Sequence, residues 1–100
     1  MAKENSNIKE KTRSGLKEPG KYHVIFHNDD FTPMEFVVML LIKIFFKNYT
    51  EAEQLMLKVH LEGKAVVGTY SYDIAITKVN KAINLSRANG YPLHITISPE

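Results

Sequence analysis

The ten residues NDDFTPMEFV, at positions 28–37, carry the strongest local signals for the fold of this chain. They follow a short segment rich in β-branched and aromatic residues, which predicts a strand over residues 22–27 that ends where Asn and Asp form a turn. Thr32 is then predicted as the N-cap of a helix, with Pro33 at its first position and Glu35 completing a capping box.

The remaining signals alternate between helix and strand. The first helix is apolar nearly all round, so we expect it to lie across the core and to run to about Lys47. The elements predicted after it are a helix from a capping box at residues 50–53 to Gly63, a strand over 64–70 with Gly68 at a bulge or close approach, a helix capped by Ser71 and ended by Asn89 and Gly90, and a strand over 93–97. This order, β-α-α-β-α-β, predicts an α+β fold. It would be a small single domain whose three-stranded antiparallel sheet is covered on one face by three helices.

The first 21 residues differ in composition from the rest. They hold six bases and three acids but few apolar side chains, and such a segment cannot bury enough surface to offset the entropy of ordering. We therefore predict a disordered N-terminal tail over residues 1–21 and one core domain over residues 22–98. A nucleic-acid-binding arm is the alternative for the tail, but its charges are not interleaved with aromatic side chains, so we expect no nucleic-acid partner.

Composition narrows the class of protein further. Of the 100 residues, 44% are apolar and 24% are charged, as is typical of globular proteins. The chain has no cysteine, which excludes disulfides and thiolate chemistry and fits a reducing compartment. The N-terminus lacks the apolar stretch of a secretory signal, and the most apolar run, residues 36–46, is too short to cross a bilayer. These features predict a cytoplasmic protein with no membrane partner.

Asn28, Asp29 and Asp30 form a polar cluster immediately before the first predicted helix. One interpretation is a turn, because Asn and Asp side chains hydrogen-bond to their own backbone. The other is a site for a cation, since two carboxylates and an amide oxygen converge on one short loop. The tripeptide by itself leaves both interpretations open.

Two predicted helices supply candidates for a pocket beside this loop. On the second helix, Met56, Val59 and His60 stand at i, i+3 and i+4 and share one face. On the first, Met34 and Val37 offer a flexible apolar wall of the kind that lines adaptable pockets. Ordinary core packing is the alternative for each of them. Beside a carboxylate loop, the imidazole of His60 could accept a hydrogen bond from an ammonium group.

Signals for enzymatic chemistry are weak. Adjacent carboxylates on a turn point different ways, unlike an acid–base pair across a cleft, and the chain has no nucleophile elbow or glycine-rich phosphate loop. His23 and His27 lie on a predicted strand, where four residues span about 13 Å, too far apart to share one metal ion. We therefore expect no enzyme, no cofactor and no metal site. A small hydrolase or metal protein using Asp29, Asp30 and His60 is an alternative.

Several segments together resemble the ClpS adaptor family. Residues 28–37 resemble its signature segment, and residues 54–60 (QLMLKVH) followed by residues 63–65 (GKA) resemble its second segment at the expected separation. Residues 77–79 (TKV) and 92–93 (PL) match further family positions. The resemblance covers the whole predicted core, roughly residues 20–98.

The resemblance implies an adaptor of the bacterial N-degron pathway, which binds substrates whose first residue is Leu, Phe, Tyr or Trp. Its partners would be those substrates and the AAA+ unfoldase ClpA, or ClpC in some lineages, which feeds the protease ClpP. The adaptor itself would be a monomer. Carried over by motif position, the free α-amine would be held by Asn28, Asp29 and His60, the side-chain pocket would be formed by Asp30, Thr32, Met34, Val37, Met56, Val59 and Leu93, and the unfoldase would be contacted by Asp73, Thr77 and Lys78.

The chain departs from the family pattern at four positions. His27 precedes the Asn-Asp-Asp motif where an aliphatic residue is expected, and Asp73 stands where glutamate is commoner. Met39 and Ile42 occupy positions that are often polar, so they either widen the core or leave an apolar patch that self-associates. A small protein-interaction module of the same fold, without N-degron activity, is the alternative function, because a fold alone does not define function.

Overall fold

The computed structural model describes residues 20–100. Within this range the elements follow in the order β1 (Lys21–His27), α1 (Met34–Lys43), α2 (Tyr49–Glu62), β2 (Lys64–Ser71), α3 (Tyr72–Ala88) and β3 (His94–Pro99). This confirms the predicted α+β fold and its order of elements. The predicted N-terminal tail lies outside the described residues, apart from its last two positions.

β1 is the central strand of a sheet that, within residues 20–100, has three antiparallel strands in the order β2-β1-β3. Its buried residues Tyr22, Val24 and Phe26 alternate with partly exposed ones, so one face of the sheet packs against the helices. The pairing of β1 with β2 shifts by one residue next to Gly68, which confirms the predicted bulge. The ring of Tyr70 lies where a Cβ at Gly68 would be, so the close approach is confirmed as well.

The core lies between that face of the sheet and the helices. Its most deeply buried large side chains include Phe26 from β1 and Leu40 and Leu41 from α1. The rings of Phe26 and Phe45 meet edge to face with their centroids 5.5 Å apart, which joins the sheet to the segment after α1. α1 therefore crosses the core, as its apolar sequence predicted.

The start of α1 differs from the prediction. Pro33, rather than Thr32, is its N-cap residue. The predicted capping box from Thr32 to Glu35 is therefore wrong, and the hydroxyl of Thr32 donates a hydrogen bond of 2.8 Å to Oδ2 of Asp29. The carboxylate three residues earlier thus orients this hydroxyl toward the loop that precedes the helix.

The end of α1 also differs, because the helix stops at Lys43 rather than near Lys47. Phe46 has φ 56°, in the left-handed region that usually favours glycine, and the backbone N–H of Lys47 donates to the carbonyl of Leu41 at 3.0 Å. This bond joins residues six apart, one more than the long bond of a Schellman motif, and it closes the turn that follows the helix. Since a phenylalanine occupies the left-handed position, the sequence carries no stop signal here.

The other helix boundaries agree more closely with the sequence. α2 begins earlier than the predicted capping box at residues 50–53, because Asn48 is its N-cap and accepts a 2.8 Å bond from the N–H of Glu51. Gly63, at φ 91°, ends α2 as predicted. Ser71 occupies the N-cap position of α3, although within the described residues its hydroxyl makes no cap hydrogen bond. Asn89 and Gly90 follow the end of α3 as predicted.

Candidate functional site

Asp29 organises the loop between β1 and α1. Its Oδ1 accepts hydrogen bonds from the backbone N–H groups of Phe31 and Thr32, both at 2.8 Å, and its Oδ2 accepts from the hydroxyl of Thr32. The turn interpretation of the Asn-Asp-Asp cluster is therefore confirmed for Asp29. The same bonds hold the carboxylate in one orientation, which is what a preformed binding site requires.

The environment of Asp29 favours its ionised form. Partial burial by itself would raise the pKa of Asp29, but hydrogen bonds from the backbone and side chain of Thr32 and from the backbone of Phe31 outweigh it. The positive charge of Arg87 acts in the same direction, so the pKa of Asp29 lies below its ordinary value. At neutral pH the loop therefore presents a negative charge.

Asn28 connects this loop to the last turn of α2. Its backbone N–H donates to the carbonyl of Gly63 at 2.9 Å, and the N–H of Gly63 donates in turn to the carbonyl of Val59 at 2.9 Å. The two bonds bring the helix face that carries Val59 and His60 beside the polar loop. Two patterns that are distant in sequence thus form one site.

A cavity of about 350 Å³ lies between the loop, the start of α1 and the end of α2. Asn28, Asp29 and His60 supply hydrogen-bonding groups, and Met34, which is 44% exposed, borders the solvent. The cavity is lined by nine of the ten predicted amine-binding and pocket residues: Asn28, Asp29, Asp30, Thr32, Met34, Val37, Met56, Val59 and His60.

The remaining pocket candidate, Leu93, lies in the hydrophobic core with 1% exposure, and its carbonyl accepts a 3.0 Å bond from the guanidinium of Arg87. Phe31 and Pro33 line the cavity as well, although sequence reasoning did not select them. Both lie inside the 28–37 segment, so their place in the loop was an available signal. Arg87, which adds its positive charge near Asp29, had no such signal because it is distant along the chain.

The predicted unfoldase-contacting residues lie on α3. Asp73 and Thr77 are exposed, and the hydroxyl of Thr77 donates to the carbonyl of Asp73 at 2.9 Å. Lys78 is partly buried, and its Nζ donates a 2.8 Å bond to the carbonyl of Ile44. It also lies 4.4 Å from the ring centroid of Phe46. Lys78 thus stabilises the segment that ends α1, at the opposite end of that helix from the cavity.

The cavity suits a ligand that is cationic at one end and apolar at the other. Carboxylate, amide and imidazole groups accept hydrogen bonds from an amine, while methionine and valine walls bind an apolar side chain. Among residues 20–100, no three His, Asp or Glu side chains converge as metal ligands would. In the same part of the chain, no helix has the length and hydrophobicity needed to cross a membrane.

Comparison with known proteins identifies the family. The family described as "ATP-dependent Clp protease adaptor protein ClpS" matches residues 17–96. The chain belongs to the ClpS family. It is 46% identical to the ClpS adapter of Vibrio atlanticus over 96 residues, which cover 96% of this chain and 91% of that protein. It is 48% identical to the ClpS adapter of Burkholderia cenocepacia over 91 residues, which cover 91% and 88% of the two chains.

A solved structure extends the ClpS likeness to three dimensions. The structure of Agrobacterium tumefaciens ClpS2 bound to L-phenylalaninamide matches with a TM-score of 0.79 and 38% sequence identity, covering 83% of this chain and 100% of that chain. The family and fold that the sequence predicted are therefore confirmed. This ClpS family member is an adaptor of the Clp protease.

Proposed function

We propose that this ClpS family member binds proteins that begin with Leu, Phe, Tyr or Trp and have a free α-amine, and delivers them for degradation. The observation that carries the proposal is the cavity that combines the polar groups of Asn28, Asp29 and His60 with apolar walls. The likeness to a ClpS2 bound to L-phenylalaninamide supports it, because that ligand joins a free amine to a large apolar side chain.

The polar residues suit an α-ammonium group. Asp29 supplies a negative charge, and the carboxamide of Asn28 and a ring nitrogen of His60 can each accept one of its N–H groups. A hydrogen bond to a charged group contributes about 1.5–3 kcal/mol. An acetylated terminus keeps one N–H but loses the charge, so it should bind far more weakly.

The apolar walls suit one large side chain. Met34, Val37, Met56 and Val59 surround the cavity, and full burial of a Leu or Phe side chain contributes about 1.5–3 kcal/mol. Together with the amine contacts, and after the cost of association, this amounts to an affinity of about micromolar Kd. Alanine at the first position would leave most of the cavity unfilled.

Three peptides that differ only at their first residue test this proposal. A fluorescent peptide beginning with Phe should bind, whereas the same peptide beginning with acetyl-Phe or with Ala should not, as measured by anisotropy. Equal binding of the Phe and acetyl-Phe peptides would instead favour an interaction module without N-degron activity. Hydrolysis of any of the three would favour the enzymatic alternative.

We further propose that the partner is the AAA+ unfoldase ClpA, or ClpC, working with ClpP. Asp73, Thr77 and Lys78 on α3 would contact it. The adaptor would act as a cytoplasmic monomer that is not an enzyme and needs no cofactor. The family description names an ATP-dependent protease. This supports the proposed cytoplasmic location, because the protease needs a compartment that contains ATP.

Delivery can be tested separately from recognition. Asp73→Lys should leave affinity for the Phe peptide unchanged, because Asp73 lies on α3 rather than at the cavity. It should slow the degradation of a Phe-initiated reporter by ClpA and ClpP. Asn80→Lys, another exposed position on α3, is the matched control for adding a base. Full-rate delivery by Asp73→Lys would remove Asp73 from the proposed contact surface.

A further inference from the structure

A second cavity lies beside the first, along the outer side of α1 and α2. It measures about 650 Å³, and we call it the outer groove. Val38, Met39 and Ile42 line it from α1, while Tyr49 and Met56 line it from α2. The α1 residues stand on the side of the helix away from its most buried residues, although Val38 and Met39 also pack against the core. The outer groove therefore exists because α1 is apolar on both faces.

The outer groove adjoins the 350 Å³ cavity between the loop, α1 and α2, which we call the degron cavity. Met56 lines both of them. On α2, the degron cavity uses Met56, Val59 and His60, whereas the outer groove uses Tyr49, Glu53 and Met56. At the helical rise per residue, the centres of these two sets are about 8.5 Å apart along α2. In an extended peptide the first and third side chains point to the same face about 7 Å apart. The third side chain of a bound N-terminus can thus reach the outer groove.

The charges of the outer groove restrict what it can hold. Glu35 and Glu53 oppose a single base, Lys43, among its lining residues. The hydroxyl of Tyr49 donates to Oε2 of Glu53 at 3.2 Å, which steadies an aromatic wall that is 61% exposed. An apolar side chain in a neutral or basic segment suits this surface.

We propose that the outer groove is a second substrate subsite, which binds a large apolar side chain at the third residue of a protein whose first residue fills the degron cavity. This inference rests on the proposed function, because the anchored first residue is what brings the third residue to the groove. That anchoring raises the effective concentration of the third side chain beside Met56.

A second copy of this chain is a poorer occupant. Eight residues line the outer groove, whereas a stable protein–protein interface takes about 20–30 residues from each side. The third side chain of a substrate needs no such area, because the first residue of the same substrate is already bound in the degron cavity. Partial burial of a leucine should strengthen binding by about fivefold to tenfold.

The test compares two fluorescent peptides on the full chain. One begins Phe-Ser-Leu-Ser and the other Phe-Ser-Ser-Ser, with identical remainders, and anisotropy gives their affinities. The leucine peptide should bind about fivefold to tenfold more tightly. In Met39→Gln/Ile42→Gln this advantage should disappear while the affinity of the serine peptide stays unchanged. Ile74→Gln, which alters a half-exposed apolar residue on α3, is the matched control and should keep the advantage.

The failures of the two proposals are distinguishable. If both peptides bound equally to the unmodified chain and still required a free amine, the subsite would be wrong and the degron cavity would stand. If acetylation had no effect on either peptide, the proposed function would fail and the subsite with it. A leucine advantage that appeared only after deletion of residues 2–19 would assign the outer groove to the chain's own N-terminal segment. A dimer that the double variant abolished, with no leucine advantage, would assign it to a second copy; either result would overturn the subsite as a feature of the full chain.

Discussion

The two ends of α1 each depend on one charged side chain, but the partners of that charge differ. Before the helix, the carboxylate of Asp29 accepts bonds from Phe31 and Thr32, two and three residues away. After the helix, the ammonium of Lys78 donates to the carbonyl of Ile44, which precedes it by 34 residues. Asp29 also lines a cavity, whereas Lys78 lies over the rings of aromatic residues.

Asp29 thus both orders its loop and lines a cavity, whereas Lys78 bonds to the segment that ends α1. Hydrogen bonds and Arg87 hold the pKa of Asp29 low in spite of its partial burial, so its charge is available at the cavity. Burial lowers the pKa of Lys78, and the nearby charge of Lys81 lowers it further. The ammonium of Lys78 is thus removed in part from water, and its bond to Ile44 offsets that cost.

The largest expected effect is at Asp29. Asp29→Ala removes the charge beside the ligand amine and all three bonds that hold the loop, so affinity for a Phe-initiated peptide should fall by about 100-fold. Asp29→Asn keeps an oxygen for the two backbone N–H groups and should lose only about tenfold. Anisotropy titration measures both. Asp73→Asn, an exposed carboxylate on α3, is the control, and unchanged binding by Asp29→Ala would contradict a charge-dependent site.

The next largest effect is expected at Met34, at the start of α1, and it concerns which first residues the cavity accepts. Met34 is the first residue of α1 and lines the cavity. From the resemblance to the ClpS family, we expect a β-branched first residue to crowd its side chain. Met34→Ala should therefore admit peptides that begin with Ile or Val, strengthening their binding by about tenfold, while Phe and Leu peptides still bind. The measurement is a comparison of Ile and Leu peptides. If the unmodified chain already bound both equally, Met34 would not act as a gate.

At the other end of the helix, Lys78→Met should lower the stability of the domain rather than its affinity for peptides. The variant keeps the apolar stem but leaves the carbonyl of Ile44, a residue 9% exposed, without its ammonium donor. The free energy of unfolding should fall by about 1–2 kcal/mol in urea titrations, with peptide affinity unchanged. Lys81→Met removes a neighbouring charge without that bond and should cost little. Equal stability of the two variants would mean that Lys78 serves only a partner.

The smallest effect concerns His27, which immediately precedes the loop but whose side chain bonds to Thr96 on the sheet. Burial, His94 and Lys64 lower the pKa of His27 below 6.5. The folded state therefore binds a proton less readily than the unfolded chain, so stability from this group is present above pH 6.5 and is lost as pH falls. Between pH 7.5 and 5.5, the Tm of the unmodified chain should fall slightly more than the Tm of His27→Gln. A larger fall in the variant would reverse this assignment.

Much of the candidate site could be predicted because its determinants are local. The spacing of Met56, Val59 and His60 places them on one helix face whatever surrounds the helix, and an aspartate two or three residues before free N–H groups forms a turn. The N-cap of α1 was less predictable, since Asp29 draws Thr32 into the preceding turn and the helix begins only after Pro33. The end of α1 could not be predicted, because Phe46 has a left-handed backbone angle that its residue type does not indicate.

Periodicity and backbone preference act over a few neighbouring residues. They determined the order of strands and helices, the glycine that ends α2 and the residue types of the pocket. Packing decided the rest. The bond from Asn28 to Gly63 brings loop and helix together, and the position of α3 brings Lys78 to the carbonyl of Ile44. The packing of α1 beside α2 leaves Met39 and Ile42 lining a groove, with Met39 packed against the core as well. Each joins residues of different elements, so each depends on distances that exist only once the domain has folded.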